Sequence, residues 1–158
     1  MGSDSDLGIM EESVKILKDF RIPYELVLTS AHRSPERTST FAKKAAQRGI
    51  RVIIVGAGAA AHLAGVIASQ TRLPVIGVPI DATSLQGLDA LLATVQMPGG
   101  VPVASMAIGK AGAKNAALMA VRILALSDDA IRQKLQTYIR KMARNVERKQ
   151  ADLNASNS

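Results

Sequence analysis

The sequence predicts a three-layer α/β domain, in which helices cover both faces of a doubly wound parallel sheet. Two observations predict this class. Short apolar segments alternate along the chain with longer segments of helical pattern. The short segments are apolar at consecutive positions, as expected for strands that are buried on both faces. With 158 residues, 47% of them hydrophobic, the chain is large enough to bury a core as one compact domain.

The predicted strands are short runs rich in Val, Ile and Leu. In chain order they are Tyr24–Thr29, Arg51–Val55, Pro74–Val78 and Pro102–Met106. Helical segments precede, separate and follow them: Leu7–Phe20, Pro35–Arg48, Ala61–Thr71, Leu85–Val95 and Ala111–Leu126. The second helix has a well-marked start, because Ser34 is a suitable N-cap and Pro35 fits the first helical position.

One further helix, Asp128–Gln150, begins after the potential N-cap Ser127 and has no strand after it. This extra C-terminal helix either packs on the domain or reaches a neighbouring subunit. We predict a single domain over residues 1–150 and a polar, disordered tail over residues 151–158.

The start of the chain departs from the pattern. Residues 1–6 read as a loop that leads straight into the first helix, although a doubly wound domain opens with a strand. In the flavodoxin-like strand order the first strand is central, so its absence leaves a slot in the middle of the sheet. Either residues upstream of Met1 are missing from the sequence or another segment fills the slot. We favour a start upstream of Met1.

Composition excludes several classes of protein. No apolar run reaches the length of a membrane span, and no charged leader precedes the first helix. The absence of cysteine excludes a disulfide framework and thiolate chemistry, which favours a cytoplasmic enzyme. The formal net charge of +7 is compatible with nucleic acid, but many of the basic residues are scattered around the last helix and aromatic residues are only 3%. We expect a solvated or subunit-contacting helix face instead.

Three loops contain candidate ligand-binding residues, because ligands of such sheets bind at the carboxyl ends of the strands. The first loop, Gly2–Asp6, offers a glycine for close backbone approach, hydroxyl groups for an anion, and Asp6 for a sugar hydroxyl. Helix capping explains the same residues equally well.

The second loop, Thr29–Pro35, joins a predicted strand to a helix N-terminus, which favours an anion. Arg33 adds a forked cation suited to phosphate. His32 adds the side chain whose proton moves most readily near neutral pH. Together they indicate an enzyme that acts on a phosphorylated metabolite, although an isolated His-Arg pair is more often a surface feature.

The third loop, Gly56–Gly65, follows the strand Arg51–Val55 and carries little side-chain bulk, so ligand atoms can lie against its backbone. His62 falls near the first turn of the next helix. A histidine at that position either binds the ligand or only shapes the pocket.

Several long motifs follow one another along nearly the whole chain. They are MGSDSD at 1–6, SAHRSP at 30–35, GAGAAAHL at 56–63, LPVIGVP at 73–79, QMPGGVPV at 96–103, AIGKAGA at 107–113 and NAA at 115–117. This set resembles the class I branch of the N5-carboxyaminoimidazole ribonucleotide mutase family, whose enzymes act in purine biosynthesis. The family usually has glycine in place of Ala59 and proline in place of Ala64. Neither departure removes a residue assigned to the chemistry.

The resemblance implies an isomerase that moves a carboxylate from the exocyclic nitrogen of an aminoimidazole ribonucleotide to C4 of its ring. It implies His32 as the general acid/base. The substrate contacts that it implies are Ser3, Asp6, Ser30, Arg33, Gly58 and His62. No metal and no organic cofactor is implied. Family members form octamers with active sites at subunit junctions, so the loop Gln96–Pro102 is expected to reach a neighbour's pocket.

The same resemblance assigns a part of the substrate to each loop. Arg33 and Ser30 suit the phosphate, and Asp6 and Ser3 suit the ribose. Released carbon dioxide is small and neutral, so it needs a closed, dry cavity. The loop 56–61, which includes Gly58, suits the wall of that cavity, with its N–H groups holding the carboxylate.

A dinucleotide-binding domain of the oxidoreductase type is the strongest alternative. The segment Gly56–Ala61 follows a strand and opens a helix, and Asp81 lies near the end of the next strand, as in part of the dinucleotide-binding pattern. Against it, Pro79 disrupts the ribose-binding position, and the chain leaves little room for a substrate domain. A phosphoacceptor signalling domain is set aside, because Gly56 stands where such a domain needs an aspartate.

Overall fold

The computed structural model describes residues 1–156, which form two compact units, residues 1–120 and the residues from 121 onward. Its helices are α1 (Leu7–Asp19), α2 (Pro35–Lys44), α3 (Leu63–Ala68), α4 (Leu88–Val95), α5 (Gly109–Ala125) and α6 (Asp129–Ser156). Its strands are β1 (Ile53–Gly58), β2 (Val75–Ile80) and β3 (Ala104–Ser105). Short 3-10 turns cover Asp4–Asp6 and Ala46–Arg48. The predicted alternation of strands and helices is confirmed from residue 53 to residue 125.

The three strands form one parallel sheet in the order β1-β2-β3. β1 and β2 pair along their full length, from Ile53 with Val75 to Gly58 with Ile80. β2 is buried throughout, which explains its continuous apolar sequence. Pro79 fits in this strand because its nitrogen faces the β3 side beyond the end of β3 pairing, which stops at Gly77. The missing N–H of proline therefore costs no ladder bond.

Two glycines show that helices cover both faces of the sheet. A Cβ atom at Gly56 would lie 2.4 Å from the Met10 sulfur of α1, whereas one at Gly77 would lie 2.4 Å from Thr94 of α4. Gly77 pairs with Val55, the neighbour of Gly56, so the two glycines point to opposite faces. On the face of Gly56, α1 is tied to α5 by a 2.6 Å hydrogen bond from Ser13 Oγ to the Ala113 carbonyl. The predicted three-layer arrangement is confirmed.

The prediction of a strand over Tyr24–Thr29 is wrong, because these residues are extended but the structure assigns no strand to them. They pair with a single residue: the Met1 amino group donates to the Val27 carbonyl at 2.9 Å, and the Thr29 amide donates to the Met1 carbonyl at 3.0 Å. On the other side, the Gly2 amide donates to the Gly56 carbonyl of β1 at 3.2 Å. Residues 1 and 2 thus lie between the segment 24–29 and β1, which reproduces the flavodoxin-like order. A ladder of one or two residues is too short for strand assignment.

Other boundaries also shift. α3 covers Leu63–Ala68 rather than Ala61–Thr71, and before it the amides of Ala61 and His62 bond to the carbonyls of Ala59 and Ala60 instead of starting the helix. α2 ends at Lys44, and the chain then turns through a 3-10 turn to Gly49, whose φ is 83°. β3 has two residues rather than the five predicted.

The second unit consists of the end of α5 and the long helix α6. α6 runs to Ser156, beyond the predicted end at Gln150, because residues 151–156 contain no glycine or proline to stop it. This corrects the predicted tail for those residues; residues 157 and 158 lie outside the described residues. Between residues 1 and 156 no helix combines the length and apolar character that crossing a membrane requires.

Candidate active site

The loop Ser30–Ser34 is held by its own hydrogen bonds. Ser34 precedes α2, as predicted, but its hydroxyl does not cap the helix. The Ser34 Oγ atom accepts from the Ser30 amide at 2.9 Å and donates to the Ser30 carbonyl at 3.1 Å. The Ser30 Oγ atom accepts from the Arg33 amide at 3.2 Å. These bonds close a tight turn, and His32 and Arg33 at its tip are exposed.

Below this turn, the base of the loop is fixed in the interior. Thr29 and Thr38 are both buried, and their hydroxyl oxygens lie 2.8 Å apart. Because Thr38 belongs to α2, this bond ties the start of the loop to the helix that follows it. The turn is therefore presented on a rigid base.

The structure brings His32 and His62 together. The Nε2 atom of His32 lies 3.0 Å from Nδ1 of His62, and the rings meet edge to face at an angle of 83°. His62 precedes α3, and its carbonyl accepts the Val66 amide at 2.9 Å. The two histidines share one hydrogen, so each fixes the tautomer of the other. Sequence reasoning placed both near the carboxyl ends of strands but missed their direct bond.

Arg33 connects the second loop with the first. Its Nη2 atom donates to the Gly2 carbonyl at 3.2 Å, while the Gly2 amide donates to the Gly56 carbonyl. Gly2 therefore links the arginine to the end of β1. Since guanidinium carries five N–H donors, Arg33 keeps donors for an anion while it holds this bond.

Ser3 and Asp6 form a capping box at the turn Asp4–Asp6. The Ser3 amide donates to Asp6 Oδ2 at 3.0 Å, and Ser3 Oγ accepts from the Ser5 amide at 3.4 Å. The capping interpretation is confirmed, and any ligand contact would be an additional role. Asp6 is only 3% exposed, and burial raises the pKa of its carboxyl, an effect partly offset by the Ser3 amide.

Gly58 is the last residue of β1 and packs closely against Ala82. A Cβ atom there would lie 2.6 Å from Cβ of Ala82, so packing alone explains this glycine. The next residue, Ala59, adopts the left-handed conformation with φ of 53°, and the Ala61 and His62 amides bond back to the carbonyls of Ala59 and Ala60. The turn between β1 and His62 is thus built on an alanine in a conformation that favours glycine.

Replacing Ala59 with glycine is expected to raise the free energy of unfolding by about 1 kcal/mol. The left-handed conformation costs an L-residue about 1–2 kcal/mol, and glycine removes this cost. Part of the gain is lost because glycine has the larger conformational entropy in the unfolded chain. Chemical denaturation measures the difference. Ala60→Gly is the matched control, because Ala60 has no positive φ, and should lose stability. A loss of stability in both variants would contradict the strain.

The chain is similar in sequence and in fold to proteins of one family. The model of the family described as AIR carboxylase matches residues 1–145. The chain is 58% identical over 149 residues to an N5-carboxyaminoimidazole ribonucleotide mutase of Pyrococcus horikoshii, covering 94% of this chain and 83% of that protein. It is 53% identical to the mutase of the same name from Thermotoga maritima, covering 92% and 84%. Its fold resembles the crystal structure of Treponema denticola PurE, with a TM-score of 0.88, 30% identity, and coverage of 97% and 94%.

Proposed function

The chain belongs to the AIR carboxylase family, and we propose that it is an N5-carboxyaminoimidazole ribonucleotide mutase of purine biosynthesis. Its reaction converts N5-carboxyaminoimidazole ribonucleotide into 4-carboxy-5-aminoimidazole ribonucleotide. The observation that carries the proposal is the 3.0 Å contact between His32 and His62, inside the region that the family model matches. Because that region spans residues 1–145, we treat residues 1–150 as a single mutase domain.

His32 is the proposed general acid/base. In the first step the C–N bond of the carbamate breaks, carbon dioxide leaves, and protonated His32 gives its proton to the exocyclic nitrogen. In the second step C4 of the ring attacks carbon dioxide, and His32 takes the C4 proton. One proton is given and one is recovered, so the reaction needs no net acid or base. His62, bonded to the His32 Nε2 atom, orients the imidazole and touches the substrate.

The remaining loops bind the nucleotide. Arg33 and Ser30 hold the phosphate at the turn before α2, where the helix N-terminus adds positive potential. Asp6 and Ser3 hold the ribose. The buried, hydrogen-bonded state of Asp6 supports this role, because its Oδ2 atom is already fixed by the Ser3 amide. A positioned carboxylate loses little entropy when it accepts a sugar hydroxyl.

The segment from Gly56 to Ala61, which is the end of β1 and the turn after it, forms the proposed wall around carbon dioxide and includes Gly58. Its side chains are methyl groups or hydrogen atoms, so its backbone can approach the carboxylate closely. A dry cavity retains a small neutral molecule that solvent would carry away. The dinucleotide-binding alternative loses support, because the matched family is described as AIR carboxylase and the similar proteins from Pyrococcus horikoshii and Thermotoga maritima are named mutases.

We further propose a cytoplasmic homo-octamer with active sites at subunit junctions. α6 supports a subunit contact, since none of its residues is buried and a row of apolar side chains follows the helical repeat. The exposed members of that row are Ile139, Met142, Val146 and Leu153. The loop Gln96–Pro102 is the proposed contribution to a neighbour's pocket.

Deleting the residues from Asp128 onward is expected to give smaller assemblies with impaired activity, because the apolar row of α6 is lost. A finer test places a charge on the row with Met142→Asp and Val146→Asp. Arg144→Asp, on the opposite side of the helix, is the matched control. Light scattering measures the size of each assembly. A fully active monomer would contradict a shared active site.

The proposed activity is tested by incubating the protein with N5-carboxyaminoimidazole ribonucleotide and following its conversion to the C4-carboxylated isomer by NMR. Conversion without added nucleotide cofactor is expected. Titration with reduced nicotinamide cofactor, read by its fluorescence, tests the oxidoreductase alternative in the same sample. Cofactor binding without conversion would overturn the proposed function.

A further inference from the structure

His62 lies at the start of a short helix. It directly precedes α3, and its carbonyl accepts the Val66 amide at 2.9 Å, so the backbone of His62 moves with α3. α3 has only six residues, and a helix of this length is stabilised by tertiary packing rather than by its own hydrogen bonds. The side chains that pack on α3 therefore control where His62 meets His32.

One face of α3 packs on the sheet. Leu63, Ala64 and Ile67 are buried, and a Cβ atom at Gly77 of β2 would lie 3.6 Å from Cβ of Ala64. Gly65, by contrast, is only partly buried. The sheet therefore covers one side of the helix and leaves the side of Gly65 to another segment of the chain.

Met97, in the loop after α4, covers the side of Gly65. A Cβ atom at Gly65 would lie 3.0 Å from the sulfur of Met97 and 3.1 Å from its methyl carbon, so the thioether lies directly over the backbone of α3. A larger residue than glycine would displace it. Glycine weakens a helix interior, and this close approach gives a physical reason for a glycine in so short a helix.

The backbone of Met97 is held between a helix and a turn. α4 ends at Val95, two residues before Met97. Pro98 disfavours the helical conformation for the residue before it, so the helix does not continue through Met97. The Val101 amide then donates to the Pro98 carbonyl at 3.2 Å, and Gly100 in this turn has a φ of 95°. The end of α4 and the turn thus hold the Met97 side chain against α3.

We propose that Met97 is a positioning residue for the carboxyl transfer: its thioether holds the first turn of α3 and thereby keeps His62 in contact with His32. This inference rests on the proposed function, because it acts through the histidine pair of that site. Both histidines are exposed, so the segments that carry them set the 3.0 Å contact between their rings. A misplacement of about 1 Å, caused far from the chemistry, can lower a rate by about 10²-fold.

The test compares Met97→Ala with Met97→Leu, which conserves the volume and apolar character of the side chain. Val103→Ala is the matched control, because Val103 lies beyond the turn in the same region and packs on Gly77 instead of Gly65. Turnover, the denaturant midpoint of unfolding and the ¹H and ¹⁵N NMR signals of the imidazole rings are measured for each variant. The chain has only two histidines, so the ring signals are readily assigned.

Gly65→Ala examines the same contact from the side of α3. Its new methyl group has to displace the Met97 thioether, so the ring signals should shift in this variant as well. In the Met97→Ala background the same substitution meets no thioether and should shift them little further. Such non-additivity is expected for two residues in direct contact.

Met97→Ala is expected to lower turnover by about tenfold or more and to shift the ring signals of both histidines. Met97→Leu should restore both, whereas Val103→Ala should lower the midpoint of unfolding and leave the ring signals in place. Unchanged ring signals in Met97→Ala and Gly65→Ala, or an equal shift in Val103→Ala, would overturn the positioning role. The ring signals do not depend on turnover: an unchanged protein without mutase activity would overturn the proposed function, while shifted signals in Met97→Ala would still support the hold of Met97 on His62.

Discussion

Replacing His32 with asparagine is expected to lower turnover by about 10²–10⁴-fold while nucleotide affinity stays close to that of the unchanged protein. Asparagine keeps a polar group near His62 but cannot carry the proton between the exocyclic nitrogen and C4. Steady-state kinetics and calorimetric titration with the nucleotide measure the two quantities separately.

His62→Asn is the matched control for this experiment. It breaks the same 3.0 Å contact from the other side while leaving the His32 imidazole in place. A smaller loss of turnover is expected, with a larger loss of affinity. Near-normal turnover in the His32 variant would remove His32 from the mechanism.

Replacing Arg33 with lysine is expected to weaken nucleotide binding by about tenfold or more, because hydrogen bonds to charged groups contribute about 1.5–3 kcal/mol. Lysine keeps the charge but loses the forked set of donors that grips phosphate. It also loses the bond that Nη2 of Arg33 makes to the Gly2 carbonyl.

The dephosphorylated nucleoside is the control ligand for Arg33. Its affinity should barely change, since it has no phosphate to lose. Equal losses for nucleotide and nucleoside would mean that Arg33 acts through the position of Gly2 and not through phosphate.

The sequence predicted the buried strands well because their patterns are continuous. β1 and β2 are each six residues long and apolar at successive positions. The segment Tyr24–Thr29 has the same pattern but is not a strand here. Strand assignment depends on a partner as well as on composition, and within residues 1–156 the backbone hydrogen bonds recorded for this segment all go to Met1.

The sequence predicted the residues of the site one by one, but not the hydrogen bonds and contacts between them. Ser34 and Pro35 were placed correctly before and at the start of α2, yet the bonds between Ser34 and Ser30 depend on a turn that local propensity does not specify. The contact between His32 and His62 joins loops thirty residues apart. Only the side-chain directions in the folded chain determine it.

The central claim is that this chain moves the carboxylate of its substrate to C4 inside a closed site that depends on His32. The most direct measurement supplies the nucleotide with ¹³C in its N-carboxylate, in buffer that contains unlabelled bicarbonate, and reads the product by ¹³C NMR. We predict ¹³C in the C4 carboxylate of the product, and almost no product with the His32→Asn variant. Absence of the C4-carboxylated isomer, or a product that carries only unlabelled carbon from bicarbonate, would contradict the account.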